Sequence, residues 1–478
     1  MTTQPSIQGL HHDWSSPAVD ASLDRIIEEI AQAQSSLTGV RGPDPDRAEA
    51  ARLQFEHFGE IRGRGLFYPL MGAGLGRGAL VELIDGSVKY DFITGVGVNA
   101  FGHGDLDLIR TAMVASMGDV VMQGNLQCNL DAAEFAALLL DAAASPSGRL
   151  KHCFLANSGA LANENALKIC MQHTDAAPRV LTFEHCFAGR TTAMAQIGDS
   201  AGGRQGLAAN LDVDYLPFFD EADPEGSTSR TVAAMDEAVR RYPSQHSCFM
   251  MELVQGEGGF NAAPREFFLP LLERARAAGI PIWFDEVQSF GRTEDPFRFQ
   301  TLDLEDHADV VTLGKLSQVC ATLYTEELNP KPGLLSATFI GSTAAFQVGR
   351  RMIERLRSTA SYGPDGRHAQ LHASFRRLAG ELVERLPDAF PSLRNPGTPA
   401  KPSEVVGGVG GMMRLTPHGG DGARIKSLLH RLFEVGVIAF SCGHGPFHLR
   451  FLPPIGVLEE HDLVEVLGLV GDVLEKGD

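Results

Sequence analysis

Short apolar runs alternate with helix-forming stretches between about residues 100 and 345, and this alternation constrains the fold more than any other feature. The runs are rich in β-branched and aromatic residues: HCFLA, RVLTF, CFMMEL, IPIWFD and DVVTL. Strands that are buried on both faces read as continuous apolar runs of this kind. Because helical patterns such as FFLPLLERARAAG separate the runs, we predict an α/β fold in which helices wrap a largely parallel sheet.

The sequence on either side of this region predicts two further parts. The first residues are polar and helix-prone, which indicates an N-terminal arm. The stretch ALVELIDGSVKYDFITG alternates apolar and polar residues around an Asp-Gly turn, which is typical of a β-hairpin. Long helical patterns after Gly341 lead to a glycine-rich break at 407–411 and a final αβ segment. The predicted parts are a helical arm (1–65), a small α+β domain (66–100 and 346–478) and a large domain (101–345).

Charge and cysteine content exclude several classes of partner. The net charge of −19, from 41 Lys and Arg against 60 Asp and Glu, repels polyanions and gives an anionic membrane no attraction. The seven cysteines contain no Cys-x-x-Cys pair, so they indicate neither a zinc site nor a redox motif. The chain begins without the basic and apolar regions of a secretion signal. We predict a cytoplasmic protein that binds small molecules, without nucleic-acid or membrane partners and without a metal.

Small and polar residues follow the first apolar run, where ligands collect in an open parallel sheet. HCFLA ends in Asn157-Ser158-Gly159-Ala160, and a helical pattern follows. The free N–H groups at the start of a helix suit a phosphate group. A plain helix-capping turn explains the same residues.

Two further strand ends offer an aromatic ring, an arginine and a flexible carboxylate. Phe187 and Arg190 follow RVLTF; Phe187 could stack on a planar ring and Arg190 could bind a substrate carboxylate. A core aromatic and a surface arginine are the alternative. Glu257 follows CFMMEL within Gln-Gly-Glu-Gly-Gly, where glycines allow close approach of a ligand, or simply flexibility.

The last two strand ends place an acid and an amine in the sheet. Asp285, with Val287 and Gln288 after it, ends a buried strand, and a buried carboxylate requires a partner such as a protonated ring nitrogen or a buried arginine. Lys315 ends the DVVTL strand, where burial lowers the pKa of a lysine and makes its amine nucleophilic. A lysine that extends along the sheet rim into water is the alternative.

In this order and spacing, the five positions resemble the class III aminotransferases of fold type I, over about residues 65–460. GALANENALK, QGEGGF, FDEVQ and GKLSQVCA look most like the branch that holds lysine 6-aminotransferases and 4-aminobutyrate aminotransferases. Leu161 and the residues after Lys315 depart from most class III enzymes but recur in the lysine 6-aminotransferase pattern. The resemblance implies a large domain with a mainly parallel seven-stranded sheet flanked by helices, plus a smaller α+β domain.

The resemblance also implies a pyridoxal 5′-phosphate (PLP) cofactor, held as a Schiff base on Lys315. Lys315 would act as general acid and base, and Asp285 would keep the pyridine nitrogen protonated. Thr338, in SATFIG, would reach the phosphate from the neighbouring subunit, which implies a homodimer with shared active sites. The other cofactor-binding residues that the resemblance implies are Ser158, Gly159, Ala160, Phe187, Val287 and Gln288.

Three charged residues would bind the substrates. Glu257 and Arg450 match the pair by which related enzymes accept two unlike substrates, although a permanent buried salt bridge would use the same residues. Arg190 would hold the distal carboxylate in both half-reactions. Ala188, Ser336 and Ser342 depart from the family pattern near the substrate.

The resemblance implies transfer of an ω-amino group to 2-oxoglutarate, giving a semialdehyde and glutamate. The ε-amino group of L-lysine is the first choice of donor, 4-aminobutyrate the second, and ornithine or N-acetylornithine the third. A PLP aminomutase and a non-catalytic scaffold of the same fold stay open as alternatives.

Overall fold

The computed structural model describes Trp14 and residues 16–477, and the first residues of the predicted arm lie outside this part. The described arm consists of the helices Pro17–Gln34 and Pro45–Arg62. Each helix has proline at its first position, where the missing N–H costs nothing, and each is capped by the side chain of the preceding residue. Gln34 attaches the arm to the rest of the molecule by donating to the carbonyl oxygens of Gly76 and Gly104, at 2.8 and 2.6 Å.

A seven-stranded sheet forms the centre of the molecule, as the resemblance implied. All its strands run parallel except Cys320–Thr325, which is antiparallel to both neighbours. The five predicted apolar runs are all strands of this sheet. In spatial order the strands are Leu150–Ala156, Cys320–Thr325, Val310–Leu313, Ile282–Glu286, His246–Met251, Arg179–Phe183 and Asp212–Leu216.

Helices cover both faces of this sheet, as expected for strands without a polar face. The strand Ile282–Glu286 is buried along its whole length, and so is its neighbour Val310–Leu313. The longer helices that follow or precede the strands are Leu106–Ala115, Leu130–Ala142, Gly159–His173, Pro224–Arg241, Arg265–Ala277 and Thr343–Ser358. Shorter helices are Thr94–Gly97, Thr192–Ile197, Ala201–Arg204 and Arg298–Thr301.

Two four-stranded sheets lie outside the central sheet. The first contains the predicted hairpin, in which Leu80–Leu83 and Val88–Asp91 pair antiparallel. Its other strands are Gly72–Arg77 and Val437–Ile438, and the second sheet has the order Val406–Val409, Met412–Leu415, His448–Phe451, Phe440–Cys442. Their helices are Arg367–Arg385, Pro402–Val405, Gly422–Val435 and Glu460–Glu475. Two short ribbons pair Val254–Gln255 with Asn261–Ala262 and Met122–Gln123 with Gly341–Ser342.

The glycine-rich segment 407–411 is part of a hairpin, so its interpretation as a break was wrong. Val406–Val409 pairs with Met412–Leu415, and Gly410 lies in the turn with a φ of +53°. Gly408 has a φ of +102°, and a Cβ there would lie 2.0 Å from the carbonyl oxygen of Met412. Glycine is therefore required for a tight strand pairing here, not for an interruption of the chain.

The apolar side chains form two large cores, one against the central sheet and one under the outer sheets, and a smaller core that also packs against the central sheet and includes Trp283 and Val310. The helix Thr343–Ser358 crosses the predicted domain limit at residue 345. Its buried residues Phe346, Met352 and Ile353 belong to the core of the central sheet. The helix therefore packs with the large domain, contrary to its assignment to the small one. The other predicted domain limits stay predictions.

Within Trp14 and residues 16–477, no helix is both long and apolar enough to cross a lipid bilayer.

Candidate active site

Asp285 and Lys315 end neighbouring strands of the central sheet. The two strands are parallel, and Asp285 lies opposite Thr312. Lys315 comes three residues after Thr312 and directly after Gly314. Lys315 has a φ of +52°, a left-handed conformation that non-glycine residues adopt at a cost. Such local strain is common at functional sites, where the surrounding fold holds the residue in place.

Asp285 is a buried carboxylate that accepts only neutral N–H groups. Its Oδ2 accepts from the side-chain amide of Asn163 at 2.7 Å, and its Oδ1 accepts from the backbone N–H of Val287 at 2.9 Å. Burial raises its pKa to about 6. The carboxylate is thus positioned and desolvated, and it would gain from a cationic partner.

The amine of Lys315 lies among charged groups of both signs. Burial lowers its pKa to about 8, and the charge of Glu257 partly opposes this shift. Burial therefore favours the neutral amine more than in a lysine that is exposed to water. A neutral amine is the nucleophilic form of lysine.

The turn at Ser158–Ala160 begins the helix Gly159–His173. The Ser158 hydroxyl accepts from the backbone N–H of Leu161 at 3.3 Å, while the N–H groups of Gly159 and Ala160 have no partner within the helix. A Cβ on Gly159 would lie 2.7 Å from Cγ1 of Val287. The helix start and Val287 are therefore in direct contact, as an anion site beside the Asp285 strand requires.

Gln288 and Asn163 each carry a buried oxygen that no described residue hydrogen-bonds. A Cβ on Gly256 would lie 2.7 Å from Cδ of Gln288, so the glycine gives this amide its space. Buried polar atoms are nearly always paired, so both oxygens are open to a polar partner such as a ligand or a bound water.

Glu252 belongs to the site although the sequence analysis did not select it. It is 6% exposed, and its two oxygens accept from the backbone N–H groups of Phe187 and Gly256, each at 2.8 Å. Burial and then the charge of Asp285 raise its pKa to about 8. Glu252 therefore connects the Phe187 segment to the turn that carries Glu257. Glu252 could have been selected from the sequence, because it is a carboxylate at the end of a buried strand. The same feature selected Asp285.

Arg190 is an exposed arginine that lies beside Phe187. Its guanidinium carbon is 5.1 Å from the centre of the Phe187 ring. It forms no ion pair with any carboxylate in the described part of the chain. The guanidinium is thus available to a dissolved anion.

Glu257 and Arg450 form an ion pair at the other side of the site. Nη1 of Arg450 donates to Oε1 of Glu257 at 2.5 Å, and the Arg450 side chain is 1% exposed. Burial alone would raise the pKa of Glu257, but the charge and hydrogen bond of Arg450 outweigh it, so this pKa lies below its ordinary value. Nε of Arg450 has no hydrogen-bond partner among the described residues.

The structure thus brings all but one of the sequence-selected residues together. The exception is Thr338, which is exposed and packs its carbonyl oxygen against Gly124. Asn163 was missed together with Glu252. Asn163 lies on the helix that follows the Ser158–Ala160 turn. It gave no separate signal in the sequence, because an asparagine in a helix is usually exposed.

Comparisons with known proteins agree with this geometry. The family model "Aminotransferase class-III" matches residues 68–474. The acetylornithine aminotransferase of Listeria innocua is 26% identical over 84% of this chain and 94% of its own length. The diaminobutyrate–2-oxoglutarate transaminase of Wolinella succinogenes is 25% identical over 83% of this chain and 90% of its own length. Among solved structures, the lysine aminotransferase of M. tuberculosis has a TM-score of 0.76 at 21% identity, covering 88% of this chain and 99% of that one.

The chain belongs to the class-III aminotransferases, which are PLP-dependent transaminases. The residues present fit the cofactor. They provide an amine, a buried carboxylate that forms no ion pair in the described part of the chain, a buried amide oxygen that no described residue hydrogen-bonds, and a glycine-containing helix start.

Proposed function

We propose that the protein transfers an ω-amino group to 2-oxoglutarate, giving a semialdehyde and L-glutamate. The Glu257–Arg450 pair carries this proposal, because a buried arginine whose carboxylate partner is partly exposed can serve two unlike substrates. L-Lysine, through its ε-amino group, is the proposed donor.

Bound PLP would supply an electron-accepting ring that stabilises negative charge on the reacting substrate carbon. Asp285 would keep a proton on the ring nitrogen, which would also supply the cation that its buried carboxylate lacks. Phe187 and Val287 would contact the two faces of the ring, and Gln288 would bind its phenolic oxygen. The N–H groups at Ser158, Gly159 and Ala160 would hold the phosphate.

Lys315 would have two tasks. Its amine, with a pKa lowered to about 8 by burial, is suited to bond the cofactor covalently. Once substrate has displaced it, the same amine would carry a proton from one carbon atom to another, because an amine with a pKa of about 8 can both accept and donate a proton near neutral pH.

Glu257 would decide which substrate fits. An ω-amine brings no carboxylate near its reacting carbon, so Arg450 needs Glu257 as its counter-ion; an unpaired buried charge is costly. A 2-oxo acid brings its own carboxylate, and Glu257 would then rotate away. The partial exposure of the Glu257 side chain, 31%, supports such a rotation.

Arg190 would bind the carboxylate at the far end of each substrate. Its exposure and its lack of an ion pair in the described chain support this role. Any ω-amino acid of suitable length meets this requirement, so 4-aminobutyrate, ornithine and N-acetylornithine are the alternative donors. Relatives named as acetylornithine and diaminobutyrate aminotransferases favour ω-amino acids as a class.

We also propose a homodimer in which Thr338 of each copy completes the site of the other. Thr338 lies in an exposed apolar surface whose other members have large exposed fractions: Phe339 at 52%, Val121 at 70% and Leu126 at 103%. Exposed apolar residues that cluster on one surface are typical of a protein–protein interface.

The test is a half-reaction with single donors. L-Lysine, 4-aminobutyrate, ornithine or N-acetylornithine is added to the PLP-loaded protein without a 2-oxo acid, and the visible absorption of the bound cofactor is followed. We expect L-lysine to remove the band fastest and 2-oxoglutarate to restore it. The Lys315→Ala protein is the control and should not complete a cycle. Turnover that needs no 2-oxo acid would instead indicate an aminomutase.

A further inference from the structure

Arg414 lies opposite Arg450 in the four-stranded sheet that contains both residues. In the antiparallel pair of Met412–Leu415 and His448–Phe451, Arg414 is the direct partner of Arg450. Directly opposed residues point to the same face of a sheet. Their neighbours Met413 and Leu415 belong to the apolar core, so Arg414 and Arg450 share the opposite face.

Arg414 binds the far end of the Glu257 loop, defined here as residues 255–261. Its Nη1 donates to the carbonyl oxygen of Gly259 at 2.6 Å and to Oδ1 of Asn261 at 2.7 Å. The Asn261 amide in turn donates to Oε1 of Gln255 at 3.1 Å and to the carbonyl oxygen of Gly258 at 3.0 Å. Arg414 therefore contacts residues 259 and 261 directly and supports residues 255 and 258 through the Asn261 amide.

The near end of the Glu257 loop is held independently. Gly256 donates to Glu252 at 2.8 Å, and the carbonyl oxygen of Glu257 accepts from the backbone N–H of Gly443 at 2.8 Å. The backbone is thus fixed on both sides of Glu257. The carboxylate itself has the Arg450 guanidinium as its hydrogen-bond partner.

We propose that Arg414 is a positioning residue for substrate exchange. This role of Arg414 rests on the proposed function. By fixing the loop backbone, Arg414 limits the exchange to rotation of the Glu257 side chain. The carboxylate then returns to the same place on Arg450 each time the 2-oxo acid leaves. Arg414 would touch neither substrate nor cofactor.

The two half-reactions depend on this placement unequally. The ω-amine half-reaction requires the Glu257 carboxylate in hydrogen-bond contact with Arg450. The 2-oxoglutarate half-reaction requires Glu257 only to be elsewhere. Loosening the loop should therefore slow the amine half-reaction selectively, by about tenfold, since misplacements of about 1 Å cost up to about a hundredfold.

The test compares Arg414→Met and Arg414→Lys in the PLP-loaded protein. We expect Arg414→Met to lower the ratio of amine to 2-oxoglutarate half-reaction rates about tenfold, and Arg414→Lys to restore part of it through one retained hydrogen bond. The matched control is Arg367→Met. Arg367 also donates to backbone carbonyls, at Ile455 and Leu458, but it lies away from the Glu257 loop, so the ratio should not change.

Hydrogen exchange measured by mass spectrometry gives a readout apart from activity. Arg414→Met should raise exchange in a peptide covering residues 255–262, and Arg367→Met should not. In the Glu257→Gln background, Arg414→Met should lower the ratio no further, because no carboxylate remains to be placed.

Equal slowing of both half-reactions, or unchanged exchange in the loop, would overturn the role of Arg414. Failure of the wild-type protein to use any ω-amine would instead overturn the proposed function. The two failures are therefore distinguishable.

Discussion

At the scale of single residues, a strand-end position was the informative signal. Asp285 and Lys315 could be selected from the sequence because acids and amines at the ends of buried strands demand a partner. Asn163 could not, since its hydrogen bond to Asp285 spans two elements far apart in the chain. The Glu257–Arg450 contact followed from the resemblance and not from spacing, because 193 residues separate the two.

Glu257→Gln tests the counter-ion role and keeps the size of the side chain. With L-lysine as donor, kcat/KM should fall at least about tenfold, because an unpaired buried charge costs about 2 kcal/mol or more. The 2-oxoglutarate half-reaction should be unchanged or faster, which makes it the internal control. Stopped-flow absorbance measures both. Equal effects on the two half-reactions would contradict the role.

Glu252 predicts a pH dependence of stability. Burial raises its pKa from 4.5 to about 8, so between roughly pH 5 and pH 8 the folded protein keeps a proton that the unfolded chain has released. Its contribution is fully present below the unfolded pKa and is lost as the pH rises through the folded one. The free energy of unfolding of the cofactor-free protein should therefore fall across this window.

Denaturant unfolding at several pH values measures this dependence. Glu252→Gln should flatten it, because glutamine does not titrate. Glu29→Gln, at an exposed position of the arm, is the control and should leave the slope unchanged. A Glu252→Gln slope equal to that of the wild type would show that Glu252 is already ionised in the fold.

At the scale of elements, apolar runs located five strands of the central sheet but missed two. Asp212–Leu216 mixes polar and apolar residues and is only partly buried, so it has no continuous apolar run. Cys320–Thr325 begins soon after Lys315, within a segment that was interpreted only as a motif. Its antiparallel direction depends on the short turn at Lys315–Ser317, which periodicity does not detect.

Gly159→Ala tests the close packing of the Ser158–Ala160 turn, which is proposed to hold the phosphate. The added Cβ would lie 2.7 Å from Val287, so Val287 or the helix start must move. We expect PLP to bind about tenfold more weakly, a loss of about 1.4 kcal/mol. Fluorescence titration of the cofactor-free protein measures the affinity.

Gly468→Ala is the matched control, because it lies in the helix Glu460–Glu475 with nothing within 4 Å of the added Cβ. It should leave PLP affinity unchanged and stabilise the helix by about 0.5–1 kcal/mol. Unchanged affinity in Gly159→Ala would mean that the turn does not hold the phosphate.

At the scale of the whole molecule, the sequence predicted the sheets better than the limits of the domains. The hairpin at residues 80–91 and the central sheet lie where they were expected. The limit at residue 345 failed because Thr343–Ser358 has one apolar face, and periodicity cannot tell which core that face will contact. The exposed apolar surface around Thr338 also had no sequence signal, since exposure is a property of the assembled fold.

Leu126→Asp tests the proposed dimer. Leu126 is fully exposed in the monomer, and a charge there would be buried without a partner in an interface. We expect a shift towards monomer by sedimentation velocity and a parallel loss of activity, because Thr338 would no longer reach the second site. Val464→Asp, on an equally apolar but separate exposed position, should remain dimeric. A dimeric, active Leu126→Asp protein would place the interface elsewhere.

Transfer of nitrogen from the ω-position is the central claim, and isotope labelling tests it most directly. L-Lysine carrying ¹⁵N at the ε-nitrogen is incubated with 2-oxoglutarate and the PLP-loaded protein, and the glutamate formed is analysed by mass spectrometry. We expect the label to appear in glutamate, whereas lysine labelled at the α-nitrogen should give unlabelled glutamate. Label passing from the α-nitrogen, or no glutamate from any ω-amino acid, would contradict the assignment.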